Sequence, residues 1–399
     1  MNHKRLHTRL LALLLCCALV LPLSACGEDK STTQQIFAMD TVMDLTAYGK
    51  KADDGINAAI SIINSMDTLL DPENERSKTY EINHAMGGSV VVNEQIAKML
   101  RTALTVYERT NGAFDLTTYP LSKLWGFIDQ NYRVPSDAEI ERLLPCVDMS
   151  KVQLSSTDDS ANSLVTMPAD MSLSFGAVAK GCASDYAIQA MRAAGVTSGV
   201  VSLGGNVQTL GKKPDGSDWN IAVQDPNDTG SYLGYLTVGE TAVITSGSYQ
   251  RFFTEGGQKY HHILSPKTGL PVNNGLLSVT IVCEDGTMAD CLSTAMFVLG
   301  PQAALNYWRT YGGEVDIDRA AVVIEHLRAL CAPVTGMTGR VLRAAVGFRL
   351  RDARTQQRAV RQPAHQNAPN QVRRDAEYVA PEKFQILQFP IHQLSYWTT

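Results

Sequence analysis

The chain contains 399 residues, of which 44% are hydrophobic and 19% are charged, and its formal net charge is −5. This composition is typical of globular proteins and excludes a wholly disordered or collagen-like chain. The negative charge disfavours general nucleic-acid binding, which usually depends on a basic domain. Only one segment, at the N-terminus, is apolar enough to enter a bilayer, so a polytopic membrane protein is excluded as well.

That N-terminal segment has the parts of a bacterial export signal. Three basic residues precede an apolar stretch over 10–21, which is too short to span a bilayer as a helix. The sequence Leu23-Ser24-Ala25-Cys26 follows and resembles the lipobox of bacterial lipoprotein signal peptides. We therefore predict a signal peptide over 1–25, acylation of Cys26 and a linker over 26–35. An ordinary secretory signal that happens to precede a cysteine is the alternative interpretation.

Apolar spacing predicts an α+β fold after the linker. Apolar residues recur three or four positions apart in some segments and form short runs in others, and the two kinds of segment do not alternate strictly. The predicted helices cover 53–70, 94–107, 136–144, 178–194 and 290–299, with Asn93 as an N-cap and Ser136 and Glu139 as a capping box. The predicted strands cover 41–48, 200–203, 219–223, 236–244, 259–264 and 277–282.

The last part of the chain differs in composition from the rest. Thirteen Lys and ten Arg precede Ile317, whereas one Lys and eleven Arg lie from Ile317 to the end. This Arg/Gln-rich tail over 317–399 has two interpretations, a disordered tail or a non-native product of translation in another frame after Asp316. We assign no function to it and place the main domain at 36–316.

Asp290 and Thr294 form a candidate metal site, because residues four apart on a helix point in the same direction. A carboxylate and a hydroxyl beside phosphate groups suit Mg²⁺, which prefers oxygen ligands. A helix surface or a cap explains the same pair without a metal. Gly204 and Gly205 follow an apolar strand and permit close approach of the backbone to a ligand. The chain contains neither GxGxxG nor GxxxxGK[ST], so a Rossmann or P-loop site is not supported.

Eight short motifs occur in an order that resembles the ApbE family of FAD:protein FMN transferases, bacterial enzymes that are often lipoproteins. The motifs are Met39-Asp40-Thr41, Gly112-Ala113-Phe114-Asp115-Leu116-Thr117, Pro120-Leu121 with Trp125-Gly126-Phe127, Gly176-Ala177-Val178-Ala179-Lys180-Gly181, Leu203-Gly204-Gly205-Asn206, Thr245-Ser246-Gly247, His262-Ile263 with Pro266 and Thr268-Gly269, and Ala289-Asp290 with Ser293-Thr294-Ala295. Each motif alone is weakly specific, but eight in this order are highly specific, and the resemblance covers about 36–313. No continuation is visible after Gly313.

The resemblance implies Mg²⁺-dependent cleavage of FAD, release of AMP and attachment of FMN through a phosphoester to a Thr or Ser of an exported protein. The family's usual acceptors are flavin-carrying subunits of Na⁺-pumping NADH:quinone reductase and of the related Rnf complexes. The resemblance also implies mixed sheets flanked by helices, with FAD and Mg²⁺ in a cleft between subdomains. Together with the lipobox it predicts a protein anchored by lipid to the outer face of the cytoplasmic membrane, or to the periplasmic side of the inner membrane.

Site residues follow from the resemblance by position. His262 matches the family's proposed base. The rate of transfer should therefore fall at low pH as the imidazole is protonated, near its unperturbed pKa of about 6.5. The predicted FAD contacts are Met39, Ala113, Phe114, Asp115, Ser174, Lys180 and Leu264. Ser174 stands where the family often has Asp, so its contact with FAD is weaker or replaced. The predicted metal ligands are the carbonyl oxygen of Ala177, Asp290 and Thr294, with Ser293 nearby.

Structural interpretations stand beside these roles. Without the family, His262 is a strand histidine, Lys180 a solvated helix residue and Asp115 a helix cap or turn residue. His261 faces the opposite side of the strand and keeps a structural interpretation. Two other functions use the same residues: an FAD pyrophosphatase that gives FMN and AMP, and a non-catalytic FAD-binding lipoprotein.

Overall fold

The computed structural model describes residues 31–159 and 161–311, and the backbone of two further strands, Ile317–Ile324 and Ala345–Arg349. The predicted signal peptide, Cys26 and the rest of the 317–399 tail lie outside the described residues. No helix among residues 31–311 combines the length and the hydrophobicity that crossing a membrane requires.

An eight-stranded sheet, the main sheet, organises the chain. In spatial order its strands are β1 (Ser31–Ala38), β2 (Thr41–Tyr48), β6 (Gly199–Leu203), β7 (Asn206–Leu210), β10 (Ala242–Gly247), β13 (Leu276–Cys283), β14 (Ile317–Ile324) and β15 (Ala345–Arg349). Each neighbouring pair in it is antiparallel. The two outermost strands on one side therefore come from the backbone that the structure describes within 317–399.

Three smaller sheets lie outside the main sheet. A three-stranded sheet contains β3 (Ser89–Asn93), β5 (Asn162–Thr166) and β4 (Gln153–Ser156), in that order. Two antiparallel ribbons pair β8 (Trp219–Asp225) with β9 (Asp228–Val238), and β11 (Phe252–Glu255) with β12 (Gln258–His261).

Eight α-helices accompany these sheets within the described residues. They are α1 (Ala52–Leu70), α2 (Lys78–Asn83), α3 (Glu94–Arg109), α4 (Tyr119–Leu124), α5 (Asp137–Leu143), α6 (Ala179–Ala193), α7 (Gly286–Leu299) and α8 (Pro301–Tyr311). Short 3₁₀ turns occupy Leu116–Thr118, Leu144–Cys146 and Met149–Lys151.

The two faces of the main sheet are buried by different elements, because successive strand residues point to opposite sides. Ile244 and Ile281 join the large hydrophobic cluster that includes α1, α3, α6 and α7. The next residues along those strands, Val243 and Val282, pack instead with Trp219 of the β8–β9 ribbon. Helices therefore cover one face and a ribbon covers the other, which leaves α6 and α7 side by side on the sheet.

The predicted α+β class is confirmed, with one difference in the sheets. The pairs in the described sheets are antiparallel rather than of mixed direction, because short hairpin turns join many of the strands and parallel pairs need long crossovers. The predicted strand 236–244 is two strands, β9 and β10, since the chain passes from the ribbon to the main sheet at 239–241.

Several element boundaries also differ from the predictions. The first strand begins at Ser31, inside the predicted linker 26–35, because Ser31 pairs with Tyr48 at the end of the β1–β2 hairpin. The predicted helix from Asp290 begins at Gly286, since Asp285 accepts a hydrogen bond from Met288 N and caps it. The predicted strand 259–264 ends at His261.

Candidate active site

Helices α6 and α7 approach each other most closely at Gly181. A Cβ on Gly181 would lie 2.2 Å from the carbonyl oxygen of Gly286 and 2.7 Å from Cβ of Asp290. The backbone N–H of Gly181 donates a hydrogen bond of 2.8 Å to Oδ2 of Asp290. Glycine at this position therefore lets the Asp290 carboxylate lie against the first turn of α6, which contains Lys180.

Asp185 fixes the start of α7 against α6. Its carboxylate accepts hydrogen bonds from Gly286 N at 2.8 Å, Thr287 N at 3.0 Å and Thr287 Oγ1 at 2.6 Å, so it satisfies free N–H groups at the helix N-terminus. Lys98 Nζ lies 2.8 Å from the same carboxylate. Burial by itself would raise the pKa of Asp185, but Lys98 and these donors hold it below its ordinary value. Asp185 is thus an ionised anchor for the helix that carries Asp290.

Within the described part of the chain, Asp290 forms no ion pair like that of Asp185 with Lys98. Its side chain is buried, and burial raises the pKa of its carboxyl group, although the charge of Lys180 and the Gly181 N–H act in the opposite direction. A buried carboxylate is costly unless positive charge or hydrogen bonds offset its lost hydration. A cation beside Asp290 would offset this cost.

Three hydroxyl groups connect Asp290 to the end of β10. Ser293 Oγ donates to the Asp290 carbonyl oxygen at 2.9 Å, Ser246 Oγ lies 2.8 Å from Ser293 Oγ, and Thr294 Oγ1 lies 3.0 Å from Ser246 Oγ. Each hydroxyl has one proton to donate. Since the proton of Ser293 is used, Ser246 donates to Ser293 and Thr294 donates to Ser246. The lone pairs of Thr294 Oγ1 then remain available to a cation.

The donor set at this place consists of oxygens. Among the residues that the structure describes, no group of three or more His, Cys, Asp or Glu side chains is arranged to hold a metal. The Asp290 carboxylate and the Thr294 hydroxyl, with the predicted carbonyl oxygen of Ala177, suit Mg²⁺, a hard cation that keeps several waters, better than they suit zinc. The residues present therefore fit the predicted magnesium ion, with Ser293 serving the hydroxyl chain described above.

His262 lies directly after β12 and is half-buried. Its Nδ1 lies 3.1 Å from the carbonyl oxygen of Arg251, and its backbone N–H donates to the same oxygen at 3.1 Å. Because a carbonyl only accepts, Nδ1 carries the proton in the neutral ring and Nε2 keeps its lone pair. Burial lowers the pKa of His262 to about 3, and the charges of Arg251 and Lys180 act in the same direction. The fall in transfer rate that the sequence predicts near pH 6.5 is therefore expected at lower pH.

His261 differs from its neighbour in every contact. Its Nε2 donates to the carbonyl oxygen of Val272 at 2.9 Å, and its Nδ1 accepts from the backbone N–H of Ile263 at 3.3 Å. The ring packs edge-on against Phe297, whereas His262 packs against Phe127. The structural interpretation of His261 is thus supported by two satisfied ring nitrogens.

The predicted FAD contacts lie in several different settings. Met39 and Asp40 have positive φ angles of 48° and 59° and form the tight β1–β2 turn, and Met39 N donates to Asp67 at 2.8 Å. Asp115 is buried and accepts from Thr117 N at 2.7 Å and from Met149 N at 3.1 Å, so its carboxylate serves as a cap. Burial raises the pKa of Asp115 despite these donors.

Most of the other predicted contacts are buried. Phe114 and Leu264 are buried in hydrophobic clusters, and Ala113 is buried as well. Ser174 Oγ accepts from Gly176 N at 3.2 Å, and this bond shapes the loop that leads to α6. Roles in FAD binding stay predictions for all of these residues.

Gly204 and Gly205 have a structural explanation. Both have positive φ angles, 60° and 93°, and they form the two-residue turn of the β6–β7 hairpin. A Cβ on Gly204 would also lie 2.6 Å from Oγ1 of Thr41. The turn and this close approach require glycine without any ligand.

The sequence alone indicates no role for Ser246, Arg251 or Asp185. Ser246 belongs to the motif Thr245-Ser246-Gly247, which is the one available signal, but its contact with Thr294 spans 48 positions in sequence. A surface hollow of about 380 Å³ is lined by Arg101, Leu104 and Ser155 among others, and it contains none of the predicted site residues.

The chain is similar to curated flavin transferases. The curated "FAD:protein FMN transferase" of Klebsiella pneumoniae (strain 342) is 33% identical over 241 residues, which is 60% of this chain and 73% of the relative. That of Treponema pallidum (strain Nichols) is 29% identical and covers 73% of this chain and 87% of its own length.

Solved structures show the same fold. The ApbE protein of Thermotoga maritima MSB8 is 32% identical with a TM-score of 0.68, and the match covers 74% of this chain and 95% of that one. The flavin transferase ApbE of Vibrio cholerae has a TM-score of 0.66 at 22% identity, over 74% and 94% of the two chains, which supports the fold alone. The model of the ApbE family matches residues 39–317, and the chain belongs to this family.

Proposed function

We propose that this chain is a Mg²⁺-dependent FAD:protein FMN transferase. One observation carries the proposal beyond the family: the buried Asp290 carboxylate accepts a hydrogen bond of 2.8 Å from the backbone N–H of Gly181, the residue directly after Lys180. A candidate metal ligand is thereby held against the helix turn that carries a lysine. Such a combination suits phosphoryl chemistry, in which catalysis depends on positioning and on stabilising negative charge.

The metal would be held by Asp290, Thr294 and the carbonyl oxygen of Ala177, with Ser293 supporting Thr294 through Ser246. When bound, Mg²⁺ supplies positive charge to the non-bridging oxygens of the FAD pyrophosphate. The chain's own contribution is to hold the ligand oxygens of Asp290 and Thr294 rigidly. Both residues lie on α7, which is fixed to α6 by Asp185 and by the close contact at Gly181.

His262 would act on the acceptor hydroxyl. Its Nε2 accepts the proton while the hydroxyl oxygen of an acceptor Thr or Ser forms a bond to the FMN phosphorus. The bond from that phosphorus to the bridging oxygen breaks, and AMP leaves with the electron pair. Lys180 stabilises the charge that develops on the phosphate oxygens. A general base contributes roughly 10² to 10⁴ in rate when its pKa lies near the working pH, and the lowered pKa of His262 places it at the lower end of that range.

The acceptor and the location extend the proposal further. The resemblance favours exported flavin-carrying subunits of the NADH:quinone reductase or Rnf type as acceptors. The sequence around Cys26 favours acylation, and two or more acyl chains anchor a protein stably because each buried CH₂ contributes about 0.8 kcal/mol. We therefore place the mature protein on the outer face of the cytoplasmic membrane, where it would meet exported acceptors.

Mass spectrometry of an acceptor peptide incubated with FAD, Mg²⁺ and the purified protein tests the function. An FMN adduct on Thr or Ser, with one AMP released per adduct, supports transfer. Free FMN and AMP without an adduct would assign a pyrophosphatase, and intact FAD that co-purifies with the protein would assign binding alone. An Asp290→Ala variant in the same assay controls for non-enzymatic breakdown of FAD.

A further inference from the structure

Arg251 connects three segments of the site. Its Nη2 donates to Oδ2 of Asp40 at 2.6 Å, and its Nη1 donates to the carbonyl oxygen of Phe127 at 3.1 Å. Asp40 lies in the β1–β2 turn beside Met39, and Phe127 lies in the segment after α4. The side chain is about one-third exposed, so its guanidinium group is held at the surface by two partners that are far apart in sequence.

The backbone of Arg251 faces the other way, toward His262. Its carbonyl oxygen is the acceptor for both the backbone N–H and the ring Nδ1–H of His262, each at 3.1 Å. These two bonds fix the position of the ring and its tautomer together. A shift of the Arg251 backbone would therefore move the imidazole and weaken its preference for the Nδ1–H form.

We propose that Arg251, anchored by Asp40 and by the carbonyl of Phe127, is a positioning residue that holds His262 with Nε2 as the free acceptor. The guanidinium fork is suited to this role because it reaches two acceptors at once, which a lysine cannot do with the same geometry. The inference rests on the proposed function, since it concerns the residue assigned as the base. It also links the turn that contains Met39, a predicted FAD contact, to the base.

Nitrogen NMR of histidine-labelled, full-length protein measures the tautomer directly. In the wild type we expect His262 to be protonated at Nδ1 and the neighbouring His261 at Nε2, so the two rings serve as opposite references in one spectrum. Arg251→Gln should turn His262 into a mixture of tautomers and leave His261 unchanged. His262→Ala assigns the signal.

Kinetics complete the test. A misplacement of about 1 Å costs roughly 10²-fold in well-positioned chemistry, and because the Arg251 carbonyl persists we expect Arg251→Gln to lower kcat about tenfold. KM for FAD should change less. The kcat of Arg251→Lys should lie between the values of the wild type and of Arg251→Gln. Arg192→Gln is the matched control, since Arg192 forms an exposed ion pair with Glu240 on another part of the domain.

Three outcomes separate the ideas. An unchanged His262 tautomer in Arg251→Gln overturns the inference, even if activity falls. A changed tautomer with kcat equal to that of Arg192→Gln also overturns it, because the ring then tolerates the shift. If His262→Ala retains full transfer, the base assignment in the proposed function fails instead, while the tautomer spectra still report on Arg251.

Discussion

Replacing Gly181 with alanine tests whether the close contact of α6 and α7 creates the metal site. The added Cβ would lie 2.2 Å from the Gly286 carbonyl oxygen, whereas ordinary contacts begin at 3.4 Å. The neighbour is backbone inside a helix and cannot rotate away. The two helices must therefore separate by about 1 Å, a displacement that is large for a catalytic constellation.

Two consequences follow from that separation. Overpacking costs about 1–3 kcal/mol, while the greater helix preference of alanine over glycine returns about 1 kcal/mol, so the free energy of unfolding should fall by about 1 kcal/mol. The hydrogen bond from Gly181 N to Asp290 should lengthen, and the Asp290 carboxylate should move away from the first turn of α6. Transfer should then fall roughly 10²-fold, and a higher Mg²⁺ concentration should be needed for half-maximal activity.

Urea unfolding and Mg²⁺ titration of FMN transfer measure both effects on the same preparations. Gly234→Ala is the matched control, because Gly234 lies in β9 and a Cβ there would meet nothing within 4 Å. Wild-type stability together with wild-type Mg²⁺ dependence in Gly181→Ala would refute the reasoning. A loss of stability without any change in Mg²⁺ dependence would place the metal away from the helix contact.

Five further predictions concern four individual residues. Asp290→Ala should abolish Mg²⁺-dependent transfer, and retained activity at ordinary Mg²⁺ would move the metal elsewhere. His262→Ala should lower transfer by roughly 10² or more, with His261→Ala as control; equal effects would contradict the base assignment. The pKa of His262 in the folded protein is lowered to about 3, so its contribution to stability is present above about pH 6.5 and is lost as pH falls toward 3. The free energy of unfolding of His262→Ala, measured by urea unfolding, should therefore fall less between about pH 6.5 and pH 3 than that of the wild type. Ser246→Ala should raise the Mg²⁺ concentration required severalfold, measured by titration with an unchanged unfolding midpoint as control. Cys26→Ser should leave an unacylated precursor, and an acylated membrane form on fractionation would disprove lipidation at that cysteine.

Local sequence was sufficient for elements whose determinants are close neighbours along the chain. Asn93 accepts from Ile96 N and begins α3, and Ser136 and Glu139 form the predicted capping box of α5. These predictions succeeded because a cap and an apolar stripe act within one or two helical turns. The order of motifs likewise identified the family, since many weak matches in one order are jointly specific.

Only the tertiary structure decided which side chains meet. Ser246 reaches Thr294 because β10 ends beside α7, and Arg251 reaches Asp40 across 211 positions of sequence. The closeness of Asp290 to α6 depends on Gly181, whose requirement comes from a backbone carbonyl on another helix. Burial lowered the pKa of His262 below the ordinary value that the sequence suggested. These contacts and the burial of His262 depend on how the sheet and the helices pack. The spacing of residues along the chain does not encode the distances between side chains on different elements.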